Sequence, residues 1–384
     1  MPIDMNVNYL PRLPKRKDWR IGCIGAGFIM RDCHLVAYRQ AGFNPVAITS
    51  RNLDNARAVA QQHQIAKVHR NIAELLADNS IEILDVAVPP DMQADVLRQA
   101  AEHGDHLKGI LAQKPLAMSV KDARDVVERC QKAGIALGVN QNMRHDQSIR
   151  AMKDILQRGW IGTPVLGTIE MRAIPHWMPW AEKTHSLSTF IMSIHHLDTF
   201  RYWFGTPDRV LASTRPDPRT KFPHTDGINL YILEYDNGTR ASSWDDVWTG
   251  PAREGSESDI SIRWRVEGTD GLARGTIGWP SYPAKTPSTL DFTITQSLSG
   301  RASDGLPHPS LARPANGVWL SPRWKEVWFP DAFVGTMAQL LCAVEDGTEP
   351  EIGGRDNLET IALCEAVYAA AKEHRVTTVK EFLV

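Results

Sequence analysis

The sequence predicts an α/β protein of two domains, with a parallel sheet in the first and a mostly antiparallel sheet in the second. At 384 residues the chain is too long for one typical hydrophobic core. From Trp19, short apolar runs alternate with amphipathic helical segments, as in β–α–β units. Beyond Gln157 the strand-like runs become longer and alternate apolar with polar residues, which is typical of an antiparallel sheet with one covered face.

The first half of the chain contains the short apolar runs of a buried parallel sheet. Five runs are apolar on both faces, as strands beneath helices must be: Ile21–Ile24, Val46–Thr49, Ile83–Val88, Gly109–Ala112 and Ala136–Val139. The spacing of Ala, Leu and Val predicts helices between them: Asp54–Gln62, Met92–His103 and Val120–Ala133. We therefore predict a nucleotide-binding domain over residues 19–144.

The second half is predicted to form another α/β domain, over residues 145–384. A helix at Gln147–Gln157 precedes a series of alternating strands: Ile228–Tyr235, Thr239–Trp244, Ser261–Glu267, Gly271–Ile277 and Thr289–Thr295. The turn Asp236-Asn237-Gly238 joins the first two of these strands as a hairpin. Helical patterns return near the end of the chain, at Phe333–Glu345 and Asn357–His374.

Composition excludes several classes of function. A net charge of −2 creates no field that would attract nucleic acid or anionic lipid. No apolar run approaches the roughly 20 residues that span a membrane, and the first residues lack the apolar core of a signal peptide. Five scattered cysteines fit reduced thiols, so we expect a cytoplasmic protein without nucleic-acid or membrane partners. Residues 1–18, with three prolines and a basic cluster, form an N-terminal arm that we expect to be a solvated tail.

The first predicted strand ends in a glycine turn that suits a dinucleotide. Gly25 allows the tight turn, and Gly27 lets backbone amides approach a pyrophosphate at the N-terminus of the next helix. Phe28 and Ile29 continue the loop and are expected to contact the cofactor. The third position of the G-x-G-x-x-G pattern is Met30, a departure from it. Because the turn opens a series of β–α–β units, we predict NAD(P) as the cofactor.

The end of the second strand bears on the choice of cofactor. The free 2′-hydroxyl on the ribose of NAD usually bonds to an acidic residue there, whereas this chain has Ser50 and Arg51. A hydroxyl and a guanidinium suit a 2′-phosphate, so we favour NADP slightly over NAD. The alternative is that Ser50 caps the following helix and that Arg51 is solvated.

Five motifs together resemble the glucose–fructose oxidoreductase and inositol dehydrogenase family, Gfo/Idh/MocA. They are the glycine turn, Val88-Pro89-Pro90, Lys114-Pro115, Ser193-Ile194-His195-His196-Leu197-Asp198 and Val266-Glu267-Gly268-Thr269-Asp270-Gly271. The resemblance covers nearly all of the chain after Trp19. It implies a Rossmann domain, a second α/β domain with a large open sheet, and oxidation or reduction of a sugar or cyclitol carbinol with a nicotinamide cofactor. Pro89, Gln113 and Lys114 would contact that cofactor.

Lys114 and His195 are the predicted catalytic residues. Lys114 follows a buried strand, where such sheets bind ligands, and it can stabilise the reacting oxygen or move a proton if burial lowers its pKa. His195, on a helix predicted from Thr189 to Phe204, is the expected general base because its ordinary pKa lies nearest neutrality. The resemblance implies a glutamate before the lysine and an aspartate one turn before the histidine. This chain has Gln113 and Ile191 at those positions.

Polar and aromatic residues near the expected cleft are predicted to contact the substrate. Tryptophan faces stack on sugars, and polar groups bond to their hydroxyls. The candidates are Asn142, Arg144, Trp177, His196, Asp198 and Trp244. Asp198, one turn beyond His195, is also a candidate to orient that imidazole. We expect no metal site, because the adjacent histidines lack the i, i+4 spacing and no cysteine cluster accompanies them.

Three functions remain open at this point. The first is an NAD(P)-dependent oxidoreductase that transfers hydride to or from a carbinol of a sugar, sugar derivative or cyclitol. The second is a glycoside-cleaving enzyme that works by transient oxidation and elimination, which the changes at Gln113 and Ile191 make worth considering. The third is a non-enzymatic nucleotide-sensing regulator. Because an open sheet usually buries its free face against another subunit, we also expect a homodimer or homotetramer.

Overall fold

Two β-sheets dominate the computed structural model, which describes residues 7–173, 180–248, 261–278, 286–294 and 319–384. The first sheet is parallel, as predicted, and its strands are β1 (Arg20–Ile24), β2 (Asn44–Thr49), β3 (Lys67–Val68), β4 (Ile83–Val86), β5 (Gly109–Gln113) and β6 (Ala136–Asn140). Their order is β3-β2-β1-β4-β5-β6, that of a doubly wound dinucleotide-binding fold. The helices that connect them are α1 (Leu35–Ala41), α2 (Leu53–Gln62), α3 (Ile72–Leu76), α4 (Pro90–His103) and α5 (Val120–Lys132).

The second sheet has eight strands and is mostly antiparallel, which confirms the predicted fold class. Its strands are β7 (Pro164–Ala173), β8 (Arg209–Arg215), β9 (Ile228–Glu234), β10 (Arg240–Val247), β11 (Ser261–Gly268), β12 (Gly271–Ile277), β13 (Thr289–Ile294) and β14 (Trp319–Leu320). They lie in the order β14-β13-β12-β11-β7-β10-β9-β8. Only the β7–β10 pair is parallel among the described neighbours.

The helices of the second half pack on both sheets. They are α6 (Gln147–Gln157), α7 (Ala181–Thr184), α8 (Ile194–Phe204), α9 (Ala332–Asp346) and α10 (Gly354–Glu373), with short 3₁₀ turns at Asn142–His145 and Val379–Phe382. Helix α9 returns to the first sheet, where Phe333 and Met337 share a buried core with Ile21 and Leu111. The segment that leads into α9 is thereby brought to the carboxyl ends of the parallel strands.

Residues 7–18 of the N-terminal arm contact distant parts of the protein, so the expectation of a solvated tail is wrong for them. Val7 is buried, and the ring centroid of Tyr9 lies 5.2 Å from that of Trp324. Arg12 forms an ion pair with Asp346 at 2.6 Å, and Arg16 forms one with Glu82 at 2.7 Å. The basic cluster has acidic partners on distant elements, which no local sequence pattern can reveal.

The described residues contain neither a helix long and apolar enough to cross a membrane nor a group of three or more histidine, cysteine and acidic side chains suited to a metal ion. All five cysteines are buried free thiols.

Candidate active site

The glycine turn lies between the ends of β1 and β4. Gly25 has a φ of 112°, and a Cβ there would lie 2.2 Å from the carbonyl oxygen of Ala87, so only glycine fits. Around Gly27 the space is open, since a Cβ would meet nothing within 4 Å. Phe28 is exposed beside it, and a π-helical turn starts at Ile29 and leads into α1. Backbone N–H groups at this helix start therefore have room for a pyrophosphate.

The end of β2 presents the two residues predicted to meet the ribose. Arg51 is exposed, and its guanidinium lies 3.9 Å from the sulfur of Met92. Asn52 caps α2, because its side chain accepts hydrogen bonds from the N–H groups of Asp54 and Asn55 at 3.0 and 3.1 Å. The alternative in which Ser50 is the cap is therefore wrong.

Pro89 and Lys114 lie at the ends of the next two strands. Pro89 is the partly exposed residue immediately before α4. Lys114 directly follows β5, and its Nζ donates a hydrogen bond to the main-chain carbonyl oxygen of Ile191. Burial lowers the pKa of the Lys114 amine to about 7, and no carboxylate among the described residues pairs with it.

The acceptor for Lys114 lies in a π-helical turn at Thr189–Ser193. The carbonyl oxygen of Ser188 accepts from the N–H of Ser193 at 2.9 Å, a bond one residue longer than in an α-helix. The predicted helix from Thr189 to Phe204 is therefore two elements, and only Ile194–Phe204 is α-helical. Ile191 stands where the family has an aspartate, and its main-chain carbonyl oxygen is the group that Lys114 contacts.

His195 lies in the first turn of α8 and is buried against Trp328. The two ring centroids are 5.5 Å apart and the rings are nearly perpendicular. Burial lowers the pKa of His195 well below its ordinary value, and the charges of Lys114 and His196 lower it further. The amine of Lys114, with a pKa of about 7, therefore lies nearer neutrality than His195, which makes it a second candidate for the general base beside the predicted His195.

Asn142 joins this site through a residue that the sequence did not indicate. The indole N–H of Trp328 donates to Asn142 Oδ1 at 3.0 Å, while the same indole contacts His195. Trp328 lies just before α9, far along the chain from both partners, and no motif surrounds it. A tryptophan is more often a core residue than a site residue, so only its contacts assign it here.

Arg144 and Asp198, both predicted to contact substrate, are instead bonded to each other. The guanidinium donates to the two carboxylate oxygens at 2.6 and 2.7 Å, and both side chains are buried. Arg144 also pairs with Asp356 at 2.9 Å, and Asp198 accepts from Thr360 Oγ1 at 2.8 Å. With these partners Asp198 does not orient His195, and the pair fastens α8 to the 3₁₀ turn after β6 and to α10.

His196 and Trp244 are also placed away from the predicted cleft. His196 Nδ1 lies 2.9 Å from Asp245 Oδ1, and both residues are fully buried where α8 packs on the second sheet. Side chains alternate along a strand, so Trp244 lies on the opposite face of β10 from Asp245. It contacts Arg172 there, at 5.3 Å from ring centroid to guanidinium carbon. Trp177 lies outside the described residues.

The residues at the strand ends fit a nicotinamide dinucleotide. The open space at Gly27 and the close approach at Gly25 form the cradle that a pyrophosphate requires, with exposed Arg51 toward the ribose end. Lys114 and His195 lie at the other end, where a reactive ring would be placed. The fold and these residues define a dinucleotide-dependent enzyme.

Comparison with known families gives the class more closely. Residues 19–141 match the model of an oxidoreductase family with an NAD-binding Rossmann fold, GFO_IDH_MocA, and residues 149–274 match the GFO/IDH/MocA C-terminal domain. The chain belongs to the GFO/IDH/MocA family of oxidoreductases. The predicted resemblance and enzyme class are thereby confirmed, and the non-enzymatic alternative is set aside.

Similar proteins align over nearly the whole chain. The D-apiose dehydrogenase of Paraburkholderia graminis is 27% identical over 368 residues, which cover 95% of this chain and 90% of that protein. The D-xylose 1-dehydrogenase (NADP(+)) 2 of Haloferax volcanii is 24% identical over 355 residues, 91% of this chain and 97% of that protein. A crystal structure of an Agrobacterium radiobacter oxidoreductase with NAD+, L-tartaric acid and magnesium matches with a TM-score of 0.75 and 25% identity, over 95% of this chain and 99% of that one.

Proposed function

We propose that the protein transfers hydride between a nicotinamide dinucleotide and a carbinol or carbonyl carbon of a sugar, sugar derivative or cyclitol. The observation that carries the proposal is the Lys114 amine at the end of β5, which bonds to the carbonyl oxygen of Ile191, in the π-helical turn that leads directly into the helix of His195. The similarity to an apiose and a xylose dehydrogenase supports a sugar as the substrate.

Lys114 and His195 have different roles toward the substrate hydroxyl. The cofactor supplies the acceptor or donor of hydride. Lys114, with a pKa of about 7, takes the hydroxyl proton during oxidation and returns it during reduction. His195 stays neutral because burial lowers its pKa, so it holds the same oxygen by a hydrogen bond. Trp328, which is buried, bonds to Asn142 and packs on His195, and so fixes the imidazole ring in place.

A substrate panel tests this function directly. Aldoses, ketoses, sugar acids and cyclitols are incubated with NAD+ and with NADP+, and the nicotinamide absorbance is followed together with product analysis. Stoichiometric reduction of the cofactor with oxidation of one carbinol is the expected result. Cleavage of a glycoside without net reduction would show instead the oxidation–elimination chemistry. No turnover in either direction on the panel would contradict both.

Arg51 supports NADP as the preferred cofactor, because its exposed guanidinium can bind a 2′-phosphate. We expect Arg51→Ala to raise KM for NADP+ by about tenfold, since a charged hydrogen bond contributes about 1.5 kcal/mol or more. KM for NAD+ should change little. Arg57→Ala, on the exposed side of α2, is the matched control. An unchanged KM for NADP+ would show that Arg51 has no part in cofactor choice.

The outward face of the second sheet supports a homo-oligomer. Leu230 and Ile232 of β9 are each 46% exposed, and the strand register places Leu166 of β7, 36% exposed, on the same face two strands away. Exposed apolar residues grouped on one sheet face are typical of an interface. We expect Leu230→Lys/Ile232→Lys to convert a dimer or tetramer to monomers in light scattering, while Gln61→Lys on α2 leaves the mass unchanged. A monomeric wild-type protein at micromolar concentration would refute the interface.

A further inference from the structure

A buried polar cluster surrounds the side chain of Gln113, the residue before Lys114. It consists of His34, Tyr38, Asp85, Gln113 and Asn140, which come from the π-helical turn after the glycine loop, α1, β4, β5 and β6. None of these side chains is more than 9% exposed. Three neighbouring strand ends and the helix that begins at the phosphate site are thus joined by side-chain hydrogen bonds.

The hydrogen bonds of the cluster fix where its protons lie. The Lys114 N–H donates to Gln113 Oε1 at 2.8 Å, so the amide nitrogen of Gln113 faces His34 Nε2, 3.4 Å away. The amide nitrogen of Asn140 lies 2.8 Å from the same atom. Both amides are donors there, so His34 Nε2 is an unprotonated acceptor.

The other side of the imidazole completes the arrangement. His34 Nδ1 carries the proton and donates to Asp85 Oδ2 at 2.7 Å, and the Tyr38 hydroxyl donates to the same oxygen at 2.7 Å. The ring of Phe333 packs on His34 with 5.0 Å between centroids. Asp85 is the one charged partner of His34 among the described residues, and it sets the tautomer.

The main chain around Lys114 is also held from the opposite side. Gln93 of α4 donates through Nε2 to the carbonyl oxygen of Gln113, to that of Pro115 at 2.6 Å and to that of Leu116 at 3.3 Å. The N–H of Lys114 is held by Gln113, and the neighbouring carbonyls are held by Gln93. The side chain of Lys114 then reaches Ile191 from a fixed base.

We propose that His34 is a positioning residue for Lys114, and that its neutral tautomer requires an amide at position 113. This rests on the proposed function of Lys114. A glutamate at position 113 would bring a carboxylate oxygen to the unprotonated Nε2, with no proton between two acceptors. Either the carboxylate turns away and releases the Lys114 N–H, or His34 takes a second proton. The glutamine in place of the family's glutamate is thus matched to His34 and Asp85.

A mutant cycle tests the proposal. Gln113→Glu should lower kcat by about 10- to 100-fold, the usual effect of losing a partner that orients an active-site group. Because the Gln113 side chain is bonded inside the cluster and is only 9% exposed, the dissociation constant of the cofactor should change less than threefold. In the double variant His34→Gln/Gln113→Glu the new amide can donate to the new carboxylate, so kcat should recover at least fivefold relative to Gln113→Glu. Gln61→Glu on the exposed face of α2 is the control and should leave kcat unchanged.

Two results would overturn the proposal. One is a Gln113→Glu enzyme with kcat within twofold of wild type, and the other is a double variant whose loss of kcat is the product of the losses in the His34→Gln and Gln113→Glu single variants.

Nitrogen-15 spectra of histidine-labelled protein, with His34 assigned from the His34→Gln variant, give a readout that needs no substrate. An unprotonated Nε2 and a protonated Nδ1 are expected, and the reverse tautomer would refute the cluster as described. If this tautomer is found and no sugar is oxidised, the proposed function fails while the cluster stands.

Discussion

Lys114→Met is expected to lower kcat for sugar oxidation by about 10²- to 10⁴-fold, the range for loss of a positioned acid–base group. Methionine keeps the length of the side chain and removes the amine that donates to Ile191. Initial rates with saturating cofactor and substrate measure the effect. The dissociation constant of the cofactor, measured by fluorescence titration, should stay within a few-fold of wild type.

The loss of activity should not come from unfolding. Burial lowers the pKa of the Lys114 amine from its ordinary value to about 7, so the fold disfavours the charged form. The wild-type lysine therefore lowers the free energy of unfolding at neutral pH. This destabilisation becomes smaller as the pH rises from the pKa of Lys114 in the folded protein toward the pKa of a lysine in the unfolded chain. Lys114→Met should unfold at the same or a higher urea concentration than wild type at pH 7. Lys121→Met on the exposed face of α5 is the control, and a Lys114→Met enzyme as active as this control would refute the assignment.

Ile191→Asp is expected to move the pH dependence of kcat/KM for oxidation to higher pH by about one to three units. Oxidation requires the neutral amine, so the wild-type rate should rise with pH through about 7. The main-chain oxygen of Ile191 already contacts Nζ, so a carboxylate on the same residue would lie within a few ångströms of the amine. An opposite charge at that range stabilises the protonated form and raises its pKa by about one to three units. The variant should be slow at pH 7 and recover at alkaline pH.

Ile191→Asn separates charge from shape in this experiment. Asparagine has the same size as aspartate and no charge, so its pH profile should stay close to that of wild type. Ile191 is fully buried, and both variants are checked by urea unfolding at each pH. Equal profiles for the Asp and Asn variants would show that the lysine is not the group that titrates.

The parallel sheet and the cofactor loop follow from local sequence, because short apolar runs and glycine turns leave a strong local pattern. The helix Gln147–Gln157 and the strand Gly271–Ile277 were predicted with their observed ends. The central strand β7 was not, although it pairs with both β10 and β11. Two consecutive apolar residues at its start, Val165 and Leu166, are both exposed. They interrupt the alternation of apolar and polar residues that identifies a strand with one buried face.

The substrate side was harder to predict, because its residues depend on partners far along the chain. Arg144 and Asp198 are 54 positions apart and neutralise each other, and Trp328 reaches Asn142 across 186 positions. Trp244 lies on one face of β10 and Asp245 on the other, so the sheet face that α8 covers decided which one meets the helix. Such long-range pairings cannot be predicted from the local patterns of a single sequence.

Local sequence patterns were enough to predict the fold class, the dinucleotide loop at Gly25 and Gly27, and Lys114 at the end of a buried strand. The resemblance to the family added that the acids it has before Lys114 and before His195 are absent from this chain. What replaces those acids emerged from the folded chain alone: the main-chain oxygen of Ile191 on one side, and Gln113 backed by His34 and Asp85 on the other. No sequence pattern marks a main-chain carbonyl that will accept a hydrogen bond or the tautomer of a buried histidine. Both depend on how a π-helical turn and three strand ends meet in the folded chain.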